Sequence, residues 1–199
     1  SKRLLRADAG IPNEIAPNSL NRRLDITKTC LAIFSDNLAE AQRDASSWLS
    51  TPEEDDHPFD TTAANLTLSL CHSSAHRFME AREAAHGAQI AAFQTRSPYA
   101  DGWVIALNSL PSILEGSYSQ ILPELDVALE RVRVGLGEHS GLFGTIALLA
   151  ANCDVEMGRY EEACKRLEYG VRTARIHGVV DIIACGLDAA IKLWKSENC

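Results

Sequence analysis

The chain is short of positive charge. Its 19 lysines and arginines are outnumbered by 27 acidic residues, for a formal net charge of −8, whereas a nucleic-acid interface needs a basic face to replace the counterions around phosphates. No direct nucleic-acid contact is therefore expected. Long apolar runs are missing as well: none approaches the roughly 18 to 20 residues that cross a bilayer. The opening Ser1-Lys2-Arg3-Leu4-Leu5-Arg6 reaches Asp8 and Gly10 without a hydrophobic signal core. A cytoplasmic protein with no membrane partner is the expectation. The six cysteines, Cys30, Cys71, Cys153, Cys164, Cys185 and Cys199, include no C-x-x-C pair. Most fall on apolar helical positions, where a free thiol behaves as a small hydrophobe, so structural thiols are expected over disulfides. The patterns G-x-x-x-x-G-K-[ST], H-E-x-x-H and G-x-S-x-G are all absent. No enzyme class is indicated and no cofactor or metal is called for.

What the chain does have is a 46% hydrophobic content, ample for a continuous core, and an internal repeat. Leu38-Ala39-Glu40-Ala41, Phe78-Met79-Glu80-Ala81, Tyr118-Ser119-Gln120-Ile121 and Tyr160-Glu161-Glu162-Ala163 align, with successive offsets of 40, 40 and 42 residues. Each segment opens one helical pattern and follows another, so one repeat is a helix pair. The periodicity predicts first helices near 20–34, 60–73, 98–114, 140–156 and 179–195. Second helices are predicted near 37–49, 76–95, 119–134 and 159–176. Ser97-Pro98 supplies a cap followed by proline at the first helical position, and Asn18-Ser19 is placed just before the first helix. Gly116, Gly158 and Gly178 stand where helical runs stop. The predicted fold is all-α: an α-solenoid of antiparallel helix pairs, a tetratricopeptide-like right-handed superhelix of about four and a half repeats, in a single domain over 1–199. Residues 1–17 read as a lead-in. The missing initiator Met and the helical character of the last residues suggest a fragment of a longer chain.

Let n be Ala41, Ala81, Ile121 or Ala163. In every first helix, positions n−17, n−15, n−11, n−10 and n−8 form a broad apolar face, for example Val104, Ala106, Leu110, Pro111 and Ile113. Positions n−16, n−13, n−12 and n−9 are smaller or more polar. Stacked repeats are expected to join this second set into a groove for a guest. The candidate groove residues are Asn65, His72, Trp103, Asn108, Ser112 and Asp154. Position n−12 is small throughout (Thr29, Ser69, Ser109, Ala151), which suits either close helix packing or an open surface. Trp103 and Tyr99, one turn apart, serve as packing anchors or as a stacking platform for a sugar or peptide.

Other features have plainer readings. Thr51-Pro52-Glu53-Glu54-Asp55-Asp56-His57-Pro58 lacks the alternating oxygens of a calcium loop and reads as a solvated acidic linker between repeats. His72 and His76 would share a helix face, yet no second ligand cluster accompanies them. Pro111 predicts a kink near 107–111.

The tract Leu136-Gly137-Glu138-His139-Ser140, then Ala150-Ala151, then Glu156-Met157-Gly158-Arg159-Tyr160-Glu161-Glu162-Ala163 resembles the helical repeat region of MalT-like bacterial regulators of the LuxR superfamily. Ser97-Pro98-Tyr99 through Gly116 is similar to the repeat just before it in those proteins, and Gly158 to Ala163 also resembles a tetratricopeptide second-helix start. The resemblance implies a long chain with an ATP-binding switch domain, a helical sensor region and a C-terminal helix-turn-helix. This chain would be the sensor, binding a small-molecule effector or a protein partner along its groove. The competing reading is a stand-alone tetratricopeptide-like adaptor for a peptide or protein. A stack that ends on an uncovered apolar face also has reason to self-associate as a homo-oligomer.

Overall fold

The computed structural model describes residues 17–54, 56–173 and 179–197, which form nine α-helices and no strand. In chain order these are α1 (Pro17–Phe34), α2 (Leu38–Ser50), α3 (Pro58–Ser74), α4 (Phe78–Thr95), α5 (Pro98–Leu114), α6 (Tyr118–Leu136), α7 (Gly141–Glu156), α8 (Tyr160–Thr173) and α9 (Val180–Glu197). Every predicted helix is present. Local chemistry sets many of the ends. The Ser97 and Ser140 hydroxyls accept from the amides of Ala100 and Phe143, the Asn37 side chain accepts from Glu40, and His57 Nδ1 accepts from Phe59. Prolines open α3 and α5. α1 starts at Pro17, so Asn18 and Ser19 lie inside its first turn and not ahead of it.

One turn recurs four times and defines the repeat. At n−5 the backbone is left-handed in every unit: Asp36 (φ 56°), His76 (φ 55°), Gly116 (φ 81°) and Gly158 (φ 72°). In each, the n−5 amide donates to the n−8 carbonyl and the n−4 amide to the n−9 carbonyl, as in Gly158 to Val155 (3.0 Å) and Arg159 to Asp154 (2.8 Å). This is the Schellman closure of a helix end. Glycine occupies that seat in two units without a Cβ penalty, whereas Asp36 and His76 hold it under strain. His76 is consequently off the end of α3, so the shared helix face expected for His72 and His76 does not form. Gly178, predicted to stop α8, lies outside the described residues.

α1, α3, α5, α7 and α9 pack side by side in one row. α2, α4, α6 and α8 form a second row, each seated against its own first helix and the next one. The result is an all-α helical-repeat solenoid. Second helices bury n, n+4 and n+7 with mostly small residues: Ala81, Ala85 and Ala88 in α4, and Ala163, Leu167 and Gly170 in α8. Small side chains there let the helix axes approach closely. α7, with neighbours on every side, is buried nearly all round, and each of its leucines contributes about 1.5–3 kcal/mol. α5 runs three residues beyond Pro111, which is buried in its last turn, so the missing N–H costs the helix only near its end.

α9 docks on α7 and α8 and leans across the first row. Asn152 of α7 donates to the Cys185 carbonyl (3.1 Å) and to Asp188 (3.2 Å). In the first turn of α9, Asp181 accepts from the Ser74 hydroxyl at the close of α3 (3.1 Å). Its outer side exposes Val180, Leu187, Ile191 and Trp194.

The acidic linker is largely solvated, as its composition suggests, with Thr51, Pro52, Glu53, Glu54 and His57 exposed, but it is tied down at Asp56. Asp56 takes both the Nε and Nη2 protons of Arg22 at 2.5 Å, and its carboxylate also accepts from the Glu53 amide. The Arg22 guanidinium lies 4.4 Å from the Trp48 ring centroid. The segment is thereby folded back onto α1 and α2.

Candidate functional site

The first-row helices α1, α3 and α5 enclose an apolar cleft of about 230 Å³, with Val179, just ahead of α9, at its edge. Its aromatic wall follows from the repeat. Phe59 and Tyr99 both stand at n−22 of successive units, so stacking the helices brings the rings together at 6.2 Å and an 18° interplanar angle. One turn on, Trp103 meets Tyr99 edge to face at 6.4 Å and 74°. Ile33 of α1, Leu66 and Leu70 of α3, and Leu107 of α5 supply the aliphatic lining. Phe34 and Phe59 are exposed at the rim.

The polar atoms in this lining are mostly spent. The Thr62 and Thr67 hydroxyls donate to the Pro58 and Ala63 carbonyls of their own helix at 2.8 and 2.9 Å. Burial pushes the Cys30 thiol up, so it stays protonated at neutral pH. Among the described residues, no Lys, Arg, Asp or Glu lines the cleft.

Of the six predicted groove residues, Trp103 lines this cleft and the other five do not. Asn65, on α3, faces α4: a Cβ on Gly87 would lie 2.6 Å from its Oδ1. His72 accepts from Arg77 Nε at 3.1 Å, and Arg77 in turn donates to Gln42 of α2. Burial and then the Arg77 charge hold the His72 imidazole below its usual value, so it is neutral at pH 7. Asn108 and Ser112 are half-buried on α5. Asp154 is fully buried, 2.9 Å from Arg166 Nε and 3.2 Å from Arg159 Nε. The strip expected to form a groove therefore points in large part toward the second row. Position n−12 is buried in all four units, at Thr29, Ser69, Ser109 and Ala151, which settles its small size as close packing.

The surface that forms the cleft lies on the other side, at n−22, n−18 and n−14. Phe59 and Tyr99, Ala63 and Trp103, Thr67 and Leu107 are the matched pairs. Comparing aromatic residues at equal offsets from n would have found it.

A second, larger cleft of about 630 Å³ lies between α4, α5 and α6, where Phe93 and Val134 are exposed beside Arg96 and Arg131. The described cysteines are free thiols. Burial raises Cys71 and Cys185 to about 11 and Cys153 to about 12, which makes those three poor nucleophiles at neutral pH. Among the described residues no cluster of three or more His, Cys, Asp or Glu is placed to hold a metal ion, and no helix is long and apolar enough to cross a membrane. No family model, curated protein or solved structure matches the chain.

Proposed function

We propose that this chain is the sensor and interaction region of a MalT-like regulator of the LuxR superfamily, working in the cytoplasm, non-catalytic, and binding its effector or partner in the cleft between α1, α3 and α5. The observation that carries the binding part is the cleft itself, an apolar recess walled by Phe59, Tyr99 and Trp103 and built from three successive repeats. Binding sites are characteristically concave and apolar with few polar groups. The family part rests on the wording of residues 136–163.

A guest in the cleft touches three repeats at once, so it favours one curvature of the stack over others. Such a differential affinity is what lets a ligand bias a regulator. ATP and promoter binding would belong to other domains of the same polypeptide.

Two experiments test the two parts. Reading the flanking coding sequence tests the family: a downstream helix-turn-helix supports it, and a short complete frame refutes it in favour of a stand-alone adaptor. Tyr99→Ala and Trp103→Ala in the intact protein test the site. Loss of the effector response with unchanged basal output is expected, and an unaltered response places the binding site elsewhere.

A further inference from the structure

The second cleft, between α4, α5 and α6, has a chemistry of its own, which does not rest on the reading of the cleft between α1, α3 and α5. Its jaws come from helix length. α2 closes at n+9, whereas α4 runs to n+14 and α6 to n+15. Phe93 and Val134 lie in those added turns and, at 83% and 75%, are the two most exposed large hydrophobic residues among the described ones. Ile105 of α5 and Ala128 and Val132 of α6 continue the apolar lining inward, and the exposed Ile90 extends it along α4. An uncovered apolar patch of this kind marks an interaction site.

Charge at the rim is uneven. Arg96 and Arg131 line the cleft and have no hydrogen-bond or ion-pair partner among the described residues. Every other described arginine is engaged by a neighbouring side chain. Of the two carboxylates in the lining, Glu130 is spent on Arg133, which donates to both of its oxygens at 2.6 and 2.8 Å. The other, Asp101, stands in the first turn of α5, where the helix dipole offsets its charge. On a chain of net charge −8, the cleft thus presents unpaired positive charge on both jaws.

An occupant has to bring its own backbone hydrogen bonds. The lining belongs to three helices, so no strand edge is there to pair an extended peptide, and main-chain groups entering an apolar groove need to be bonded already. A helix meets that condition. We propose that the cleft between α4, α5 and α6 docks an amphipathic helix of a partner protein. Its apolar stripe packs between Phe93 and Val134, and acidic residues on the two edges of the stripe pair with Arg96 and Arg131.

Two synthetic peptides of about 18 residues, long enough for a helix, are the probes. One carries leucines at i, i+3, i+4 and i+7 flanked by glutamates, and the other has lysines in place of the glutamates. In a sample labelled with ¹⁵N-glycine, Gly102 and Gly135 report on the cleft they line, with Gly158 and Gly170 as remote controls. The glutamate peptide is expected to shift the Gly102 and Gly135 signals saturably at one site, and the lysine peptide to bind at least about tenfold more weakly. Arg96→Glu with Arg131→Glu is expected to reverse that preference without altering the melting temperature, since both side chains are exposed. If glutamate lowers the melting temperature at the left-handed Arg96 position (φ 52°), Arg96→Gly with Arg131→Gln takes its place and is expected to abolish the preference. Equal binding of the two peptides by the parent, or a preference that survives removal of the two arginines, overturns the acidic helix. Shifts confined to Gly158 or Gly170, or none at all, overturn the site. Tighter binding of phosphatidylglycerol vesicles than of the glutamate peptide, or the same glycine shifts with rising protein concentration alone, assigns the cleft to a lipid surface or to a second copy and likewise overturns the proposal.

Discussion

Arg166→Met tests the polar core of the C-terminal half. Arg166 joins three helices: its Nη2 lies 2.7 Å from Asp126 of α6 and its Nε 2.9 Å from Asp154 of α7. Asp154 is fully buried, and its oxygens meet the guanidinium groups of Arg166 and Arg159 as charges without well-aligned hydrogen bonds. Burial therefore prevails over those two attractions and raises the carboxyl above its ordinary value. Methionine keeps the unbranched stem and removes the charge. Breaking a buried pair from one side costs about 3–5 kcal/mol. With Arg159 still in place the lower end applies, about 3 kcal/mol at pH 7. At a urea dependence of about 2 kcal/mol/M, the midpoint falls by about 1.5 M. The sign with pH follows from the raised carboxyl, which holds its proton more tightly folded than unfolded. Losing the Arg166 charge raises the carboxyl further in the variant, so the penalty is full above both folded values and fades as pH falls through them, and the gap between variant and parent should be smaller at pH 4.5 than at pH 7. Asp154→Leu with Arg166→Met should recover to within about 1 kcal/mol of the parent, because no buried charge is stranded. Urea titrations followed by helicity at both pH values decide the matter. A loss under 1 kcal/mol at pH 7, or an equal loss at the two pH values, refutes the reasoning.

Three further substitutions probe the repeat and the linker. His76→Gly relieves a left-handed non-glycine at a helix close and should stabilise by about 0.5–1 kcal/mol, whereas Gly158→Ala at the equivalent seat should cost about 1 kcal/mol; melting temperatures that move in the same direction would contradict the shared turn. Gly170→Ala places a Cβ 2.4 Å from Leu148 Cδ2 and should cost about 1–3 kcal/mol by overpacking, as read by urea midpoint. For Asp56, burial works to raise the carboxyl, but the Arg22 hydrogen bonds outweigh it and hold it below the ordinary value. Its contribution is thus present above the unfolded value and is lost as pH falls through the folded one. Asp56→Asn should cost about 1–2 kcal/mol at pH 7 and far less at pH 3, and a pH-independent loss would count against the pair.

Helix positions were legible because the signals are local. Apolar periodicity, Ser97-Pro98, and the glycines at 116 and 158 each act within a few residues of themselves. The repeat was legible for the same reason, since one unit's pattern needs only its neighbour's to be recognised. Asp36 and His76 escaped notice as helix stops because neither is glycine. Their left-handed seats show only when the fixed offset of five residues before n is carried across all four units.

The strip expected to line a groove turns in large part toward the second row, for a physical reason that bears on reading any helical array. Small and polar residues at n−12 and its neighbours look solvent-facing, yet a serine or threonine in a helix can satisfy its hydroxyl on its own backbone. At n−12, Thr29 does so on Asp25 and Ser109 on Ala106, so burying them beside another helix is cheap, whereas the buried Ser69 hydroxyl has no hydrogen-bond partner among the described residues. Asp154 goes further and is buried against charges from α8 and from the turn before it, partners that no spacing rule within α7 announces. The recess, in turn, is lined by the residues that composition assigns to the core. What distinguishes Phe59 and Tyr99 from core aromatics is their equal offset in adjacent units, which places them side by side on one surface of the row. In an array built from one turn and one packing rule, the informative comparison is between repeats at fixed offset, because a side chain repeated at one offset meets its own counterpart in the next unit.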